Sequence, residues 1–348
     1  MSIPHFRPNF GQDEVEAVTS VLLSQHIAQG SQVQMLENAL CQILGLKHCV
    51  VVSSGTIALS LALRALQVHA GDEVILPSYT CAALWQAIKF IGAEPVFGDI
   101  ESETFNLDPM VVKNLLHRAT KAIIFPHMFG QPGYIREVFP NDVPVIEDIA
   151  QAVGAKIDGQ PVGGFGTLTV GSFYATKVIG AGEGGFVVSN AEHYIESIRD
   201  WRDYDERENL VLRYNAKMSD LEAAIALEQL RKLDINLRRR QEHGATYRQI
   251  LEAALVIPAN NPHLIANHYR CIGQIPGQAS EAIIARAQVS GIQLRRPVFK
   301  PLHLYQPTTS LPNTERAWKE QFSIPVFPAL QDAEHRQICA FLKEVTEK

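Results

Sequence analysis

The sequence predicts an α/β protein: a mainly parallel central sheet covered by helices, followed by a smaller α+β C-terminal domain. Three observations predict it. Short continuous apolar runs recur through the first half of the chain, each with a helical stretch between it and the next. Strands of that kind are buried on both faces, as in a parallel sheet. From about residue 166 the alternation changes, and beyond about 245 helices mix with short strands, with proline gathered between 297 and 328.

In order along the chain, residues 12–25 and 31–44 carry apolar side chains at helical spacing. "HCVVVSS" reads as a short buried strand that ends at Ser53-Ser54-Gly55-Thr56. "TIALSLALRAL" is apolar or small nearly all round, the pattern of a buried helix. "GDEVILPS" is a turn, a strand and a stop; "CAALWQAIKFIG" is a helix and "AEPVFGDI" a strand. "PMVVKNLLHR" is helical, "KAIIFPH" a strand, "YIREVF" a short helix and "VPVIED" a strand. "TLTVGSFYATK" and "GGFVVSN" are both strand-like, with a short glycine connection and no helix between them. A helix centred on "SDLEAAIALEQLRKL" follows. The large domain is expected over residues 1–240, with an N-terminal arm, and the small one over 241–348.

A formal net charge of -6 over 348 residues argues against nucleic acid or an anionic membrane surface as the main partner. The Arg238-Arg239-Arg240 run reads as the polar face of a helix. No apolar stretch approaches the length of a membrane span, and the first residues lack the apolar core of a secretory signal. Cys41, Cys49, Cys81, Cys271 and Cys339 follow no CxxC spacing, which suggests reduced thiols and a cytoplasmic protein. Nothing in the spacing of His, Cys or carboxylates argues for a metal.

Four stretches carry chemistry. Ser54, Gly55 and Thr56 stand between a strand and an apolar helix, where free N–H groups, two hydroxyls and a glycine form a phosphate cradle. The same residues suit an ordinary helix cap. Asp148 ends a predicted strand, where ligands bind in open parallel sheets; it could hold a protonated ring nitrogen, or cap the next helix. "GAGEGG" at Gly180, Gly182 and Gly185 matches a dinucleotide fingerprint in letters but leads into a strand, so a nicotinamide cofactor is not expected. Lys177 follows "SFYAT" and precedes those glycines. It is either a solvated surface charge or a desolvated amine able to form a Schiff base. A phosphate cradle at 54–56, an acid at 148 and a lysine at 177 together match the needs of pyridoxal 5'-phosphate (PLP).

With these motifs in their order and spacing, and with "GDEVILPSYT", "AEPVFGDIESETFNLDP", "EDIAQAVGA", "GEGGFVV" and "YNAKMSDLEAAIALEQL", the chain resembles the DegT/DnrJ/StrS family of PLP-dependent sugar aminotransferases. The resemblance runs nearly the full length and implies the fold-type-I aminotransferase architecture. It implies Lys177 as Schiff-base lysine and proton shuttle, and Asp148 as partner of the pyridinium nitrogen. Gln151 would contact the 3-hydroxyl side, and Ser54, Gly55, Thr56 and Ser172 would hold the phosphate. Asn215 would reach the phosphate of the neighbouring subunit's cofactor, so a homodimer with shared sites is implied. The family usually stacks an aromatic on the cofactor ring at the position of Cys81; Tyr79 and Trp85 flank it here, one helical turn placing Trp85 on the same face. His303 falls in a region that contacts the nucleotide-sugar in the family; a surface histidine beside prolines is the other reading. The implied reaction moves an amino group from an amino acid, L-glutamate by expectation, to a nucleotide-linked keto-sugar, in amino-sugar biosynthesis for a surface polysaccharide or a glycosylated metabolite. A PLP-dependent nucleotide-sugar dehydratase, against which Lys177 argues, and a non-catalytic PLP-binding sensor of the same fold, disfavoured by intact Lys177 and Asp148, remain as alternatives.

Overall fold

The computed structural model describes residues 2–138, 143–251, 255–257, 261–275, 277–306 and 309–347. The first part of the chain supplies β1 (His48–Val52), β2 (Glu73–Pro77), β3 (Glu94–Gly98), β4 (Thr120–Pro126) and β5 (Val145–Asp148). Two very short strands follow, β6 (Lys156–Ile157) and β7 (Gln160–Pro161), then β8 (Leu168–Ser172) and β9 (Gly185–Ser189). Seven of these form one sheet in the order β1-β9-β8-β5-β4-β2-β3. The pairs from β8 to β3 are parallel, and β9 alone runs against its neighbours.

Helices α1 (Gln12–Ser24), α2 (Ser31–Leu44), α3 (Gly55–Ala65), α4 (Ala82–Phe90), α5 (Pro109–Leu115), α6 (Glu192–Trp201) and α7 (Asp220–Arg231) surround the sheet. The apolar runs explain why both faces are covered. Successive strand residues point to opposite faces, so Val50 and Val52 pack with α3, α4 and α6, while Val51 packs with α2 and α7. Val74 and Leu76 likewise face the first layer and Ile75 the second.

Helix α8 (Leu233–Ile250) runs unbroken through residue 240, where the domain boundary was expected. Beyond it, β10 (Leu255–Ile257), β12 (Cys271–Gln274) and β13 (Gln321–Ile324) form a small antiparallel sheet, while β11 (Leu264–Ile265) pairs with β6 on the large part. Helices α9 (Ser280–Val289), α10 (Pro312–Glu320) and α11 (Asp332–Thr346) complete the chain. The N-terminal residues join this C-terminal core: Ile3 is buried in it, and the Ile3 N–H donates to the Gly291 carbonyl at 2.8 Å.

Two sequence expectations are corrected here. The strand expected to run through Lys177 stops at Ser172. Pairing continues irregularly, from the Ala175 N–H to the Gly182 carbonyl at 2.9 Å, and the Lys177 N–H then closes a turn on the Tyr174 carbonyl at 2.8 Å. Gly182 and Gly184 on the opposing side have positive φ, which a regular strand does not accept. The arginine run is not all polar face: Arg240 is buried, donating to the carbonyls of Val326 at 2.7 Å and Tyr269 at 3.3 Å. Burial pushes its guanidinium down to about 10.

Candidate active site

The carboxyl ends of β1, β5 and β8 open into a cavity of about 940 Å³, closed on its other side by residues 269–305. Ser54, Gly55 and Thr56 line it at the start of α3. Ser54 is the helix cap, its Oγ accepting the Ile57 N–H at 3.2 Å. The cap does not exclude the cradle, because the first N–H groups of a helix have no partner within it. Gly55 is needed for close packing: a Cβ there would lie 2.8 Å from the Ser172 Cβ. Ser172 enters the cavity from the end of β8, its Oγ accepting the Tyr174 N–H at 3.2 Å.

Glu147 and Asp148 are consecutive on β5 and point to opposite faces, so they do different things. The fully buried Glu147 accepts N–H groups from Gly163, Phe165 and Gly166 at 2.6, 2.8 and 3.0 Å. It also accepts the Nε2–H of His127 at 3.0 Å; the Gly133 N–H occupies Nδ1 of that ring at 3.1 Å and so fixes the tautomer. Asp148 faces the cavity. One of its oxygens accepts the Ala150 N–H at 2.8 Å, and the other has no hydrogen-bond partner among the described residues. Burial raises the Asp148 carboxyl above its ordinary range, against the pull of the Ala150 N–H and the positive charge of Lys177.

Lys177 and Gln151 also line the cavity. Gln151 Oε1 accepts the Phe129 N–H at 2.8 Å, which orients its side chain. Cys81 is exposed to the cavity from the position just before α4. Neither flanking aromatic joins it. Tyr79 is fully buried, its hydroxyl donating to Gln321 Oε1 at 3.0 Å. Trp85, one helical turn on, is half-buried against the core cluster and does not line the cavity.

Asn215 is exposed and does not line this chain's cavity. His303 takes neither of its expected positions. It is buried, away from both solvent and cavity, because its Nδ1 and N–H both engage the Ser78 hydroxyl, at 2.6 and 3.0 Å. Burial holds its imidazole below the usual histidine range, against the opposing effect of Glu315.

The far wall was not read from the sequence. Tyr269, Arg270, Arg295, Arg296 and Lys300 line it. Arg296 pairs with Glu281 at 2.5 Å. Among the described residues, Arg270, Arg295, Lys300 and Lys177 have no carboxylate in salt-bridge contact, so the cavity collects positive charge. Tyr269 is buried, with Lys177 Nζ 5.4 Å from its ring centroid.

A model of the DegT/DnrJ/EryC1/StrS aminotransferase family matches residues 8–343. The chain belongs to this family. As a member of it, the protein is a PLP-dependent sugar aminotransferase. Its fold is similar to that of the aminotransferase TlmJ from Streptoalloteichus hindustanus, at 29% identity over 98% of each chain with a TM-score of 0.94. It is also similar to the putative sugar aminotransferase Spr1654 from Streptococcus pneumoniae in its PLP form, at 25% identity over 100% of this chain and 99% of that one, TM-score 0.94. DesI, in a structure determined in the presence of its TDP-sugar product, is 28% identical over 100% of this chain and 93% of its own, TM-score 0.92.

The aminotransferase has room for the cofactor where the glycine at 55 keeps side-chain atoms out and where one oxygen of the buried Asp148 faces open space. The wall residues carried little local signal. "NHYRC" has no strand or helix start before it, and "LRRPVFK" resembles any basic loop.

Proposed function

We propose that this aminotransferase transfers an amino group from an amino acid, L-glutamate, to the keto group of a nucleotide-linked sugar, in a homodimer that shares its sites. When bound, PLP supplies an aldehyde for exchange of amines and a ring that withdraws electrons. Ser54, Gly55, Thr56 and Ser172 hold its phosphate at the start of α3. Asp148 would face the ring nitrogen and, as a carboxylate, would keep it protonated; burial alone raises this carboxyl, and a cation beside it would oppose that. Gln151 would bind beside the ring, and Cys81 would lie against it as a small, soft group. Lys177 would hold the cofactor through its Nζ, and as a free amine that group could accept and return a proton beside the bound donor.

The observation that carries the reading is that Lys177 and Asp148 share the floor of a cavity whose wall bears Arg270, Arg295 and Lys300, none of them in a salt bridge among the described residues. Such a wall suits a substrate with two phosphates and a donor with two carboxylates. Exposed Leu210, Val211 and Leu212, close in sequence to Asn215, supply an apolar surface for the second subunit.

The test is mass spectrometry of products from a panel of nucleotide-linked keto-sugars incubated with glutamate and PLP. An amino-sugar nucleotide is expected from at least one member, with 2-oxoglutarate in equal amount. Formation of 2-oxoglutarate only with acceptors that lack the nucleotide would overturn the substrate assignment.

A further inference from the structure

Tyr269 is held against Lys177 by a segment that is tied down on both sides. The Asn267 N–H donates to the Gly130 carbonyl at 3.1 Å, and its side-chain amide donates to the carbonyls of Gln151 and Val153, both at 2.9 Å. The Tyr269 N–H donates to Asn267 Oδ1 at 2.8 Å, and its carbonyl accepts from the buried Arg240. The Arg270 N–H donates to the Phe129 carbonyl at 3.1 Å. Between Asn267 and Tyr269, His268 has φ of 55°, a left-handed conformation that L side chains rarely adopt and that persists only where the surroundings impose it. The outcome is one placement: the Tyr269 ring lies below Lys177 Nζ, and its hydroxyl is 3.5 Å from Oγ1 of Thr176, the residue before Lys177.

We propose that Tyr269 is the positioning residue of Lys177, the face of its ring holding the Nζ whenever that amine is not bonded to the cofactor. The inference rests on Lys177 being the cofactor-bearing lysine. A cation within about 6 Å of an aromatic centroid is attracted by the ring quadrupole. A released lysine otherwise has many rotamers, and it must return to the same carbon in every cycle; a ring face at fixed distance narrows that search. The contact with Thr176 ties the ring to the same turn as the amine. The other charged or titratable groups on this cavity are Asp148 from β5, Glu183 from the glycine loop, Cys81 before α4, Tyr174, and Arg270, Arg295, Arg296, Lys300, Glu281 and Tyr305 of the wall. Arg270 lies over the same ring, its Cζ 5.6 Å from the centroid. Burial raises the Tyr269 hydroxyl, but Lys177 and Arg270 outweigh it and bring the group to about 8, which agrees with two cations on one phenol.

The test uses full-length protein freed of cofactor, trace-labelled with an amine-directed acylating reagent at fixed pH and read by peptide mass spectrometry. The exposed Lys156 and Lys319 serve as references within each sample. Tyr269→Leu removes the ring face and is expected to raise the labelling of Lys177 relative to the references by about fivefold, since the amine is then no longer held against the ring. Tyr269→Phe keeps the face and is expected to stay within about twofold of wild type. Loosened folding would raise every buried site and leave the two variants alike. Tyr269→Met replaces the leucine variant if that protein does not fold. Unchanged labelling in Tyr269→Leu overturns the proposal, and so does a Tyr269→Phe protein as reactive as Tyr269→Leu. Borohydride reduction of the PLP-loaded wild type, with mapping of the pyridoxyl group, is run separately. A label on another lysine removes the role given to Lys177, whereas a label on Lys177 with flat variant ratios removes Tyr269 alone.

Discussion

Ser54, Asp148, Ser172 and Lys177 on the floor of the cavity each end a short apolar strand, start a helix or precede a glycine, whereas Tyr269, Arg270 and Arg295 on its wall follow no such punctuation. The floor is made where a parallel sheet stops, so its residues are placed by the strands behind them. The wall is made by a segment that crosses back from the C-terminal part and is fixed by bonds from Gly130, Gln151 and Val153, more than a hundred residues away in sequence. Floor residues are thus positioned by local pattern and wall residues by long-range contact. Substitutions on the floor are expected to act on chemistry and cofactor, and those on the wall on substrate.

The largest effect is expected at Asp148. Asp148→Asn cannot hold the ring nitrogen protonated, and the single-turnover rate with glutamate should fall by about a hundredfold or more. The same change should stabilise the cofactor-free protein. Burial raises the folded-state pKa of Asp148, so its contribution to stability is full below the unfolded value and is lost as pH rises through the folded one. Thermal unfolding of wild type and Asp148→Asn without PLP should therefore converge in acid and separate toward neutral pH, the variant melting higher. A variant that melts lower at neutral pH, with near-normal turnover, would make Asp148 a structural residue and break the floor as defined.

A smaller effect, of a different kind, is expected on the wall. Arg295→Ala removes a charged hydrogen-bonding group worth about 1.5–3 kcal/mol, or roughly ten- to a hundredfold. Steady-state kinetics should place that loss in KM for an anionic substrate, with kcat and PLP affinity near wild type. A loss of PLP affinity instead would show that wall and floor are not separable.

The smallest effect sharpens the boundary of the floor. Cys81 is exposed to the cavity, so an aromatic ring there has space to stack. Cys81→Phe should tighten PLP by about 0.5–1.5 kcal/mol, measured by fluorescence titration of the cofactor-free protein. Weaker binding with normal folding would mean that Cys81 faces substrate rather than the ring.

The sequence by itself determined the sheet, its two helical layers and most of the floor. Continuous apolar strands such as Val50-Val51-Val52 can only be buried on both faces, and strand ends beside glycines bring donors and a lysine to one edge. Tertiary structure decided the rest. His303 beside prolines reads as a surface residue, yet the Ser78 hydroxyl draws it inside. Arg240 reads as the polar face of a helix, yet it is buried to hold the Tyr269 and Val326 carbonyls. Glu147 and Asp148 are adjacent carboxylates, and the pleat sends one to the core and the other to the cavity. In each case the deciding partner is distant in sequence or on the other face of a strand. Local pattern carries the periodicity of burial, but it carries no information about which buried polar group will find which partner.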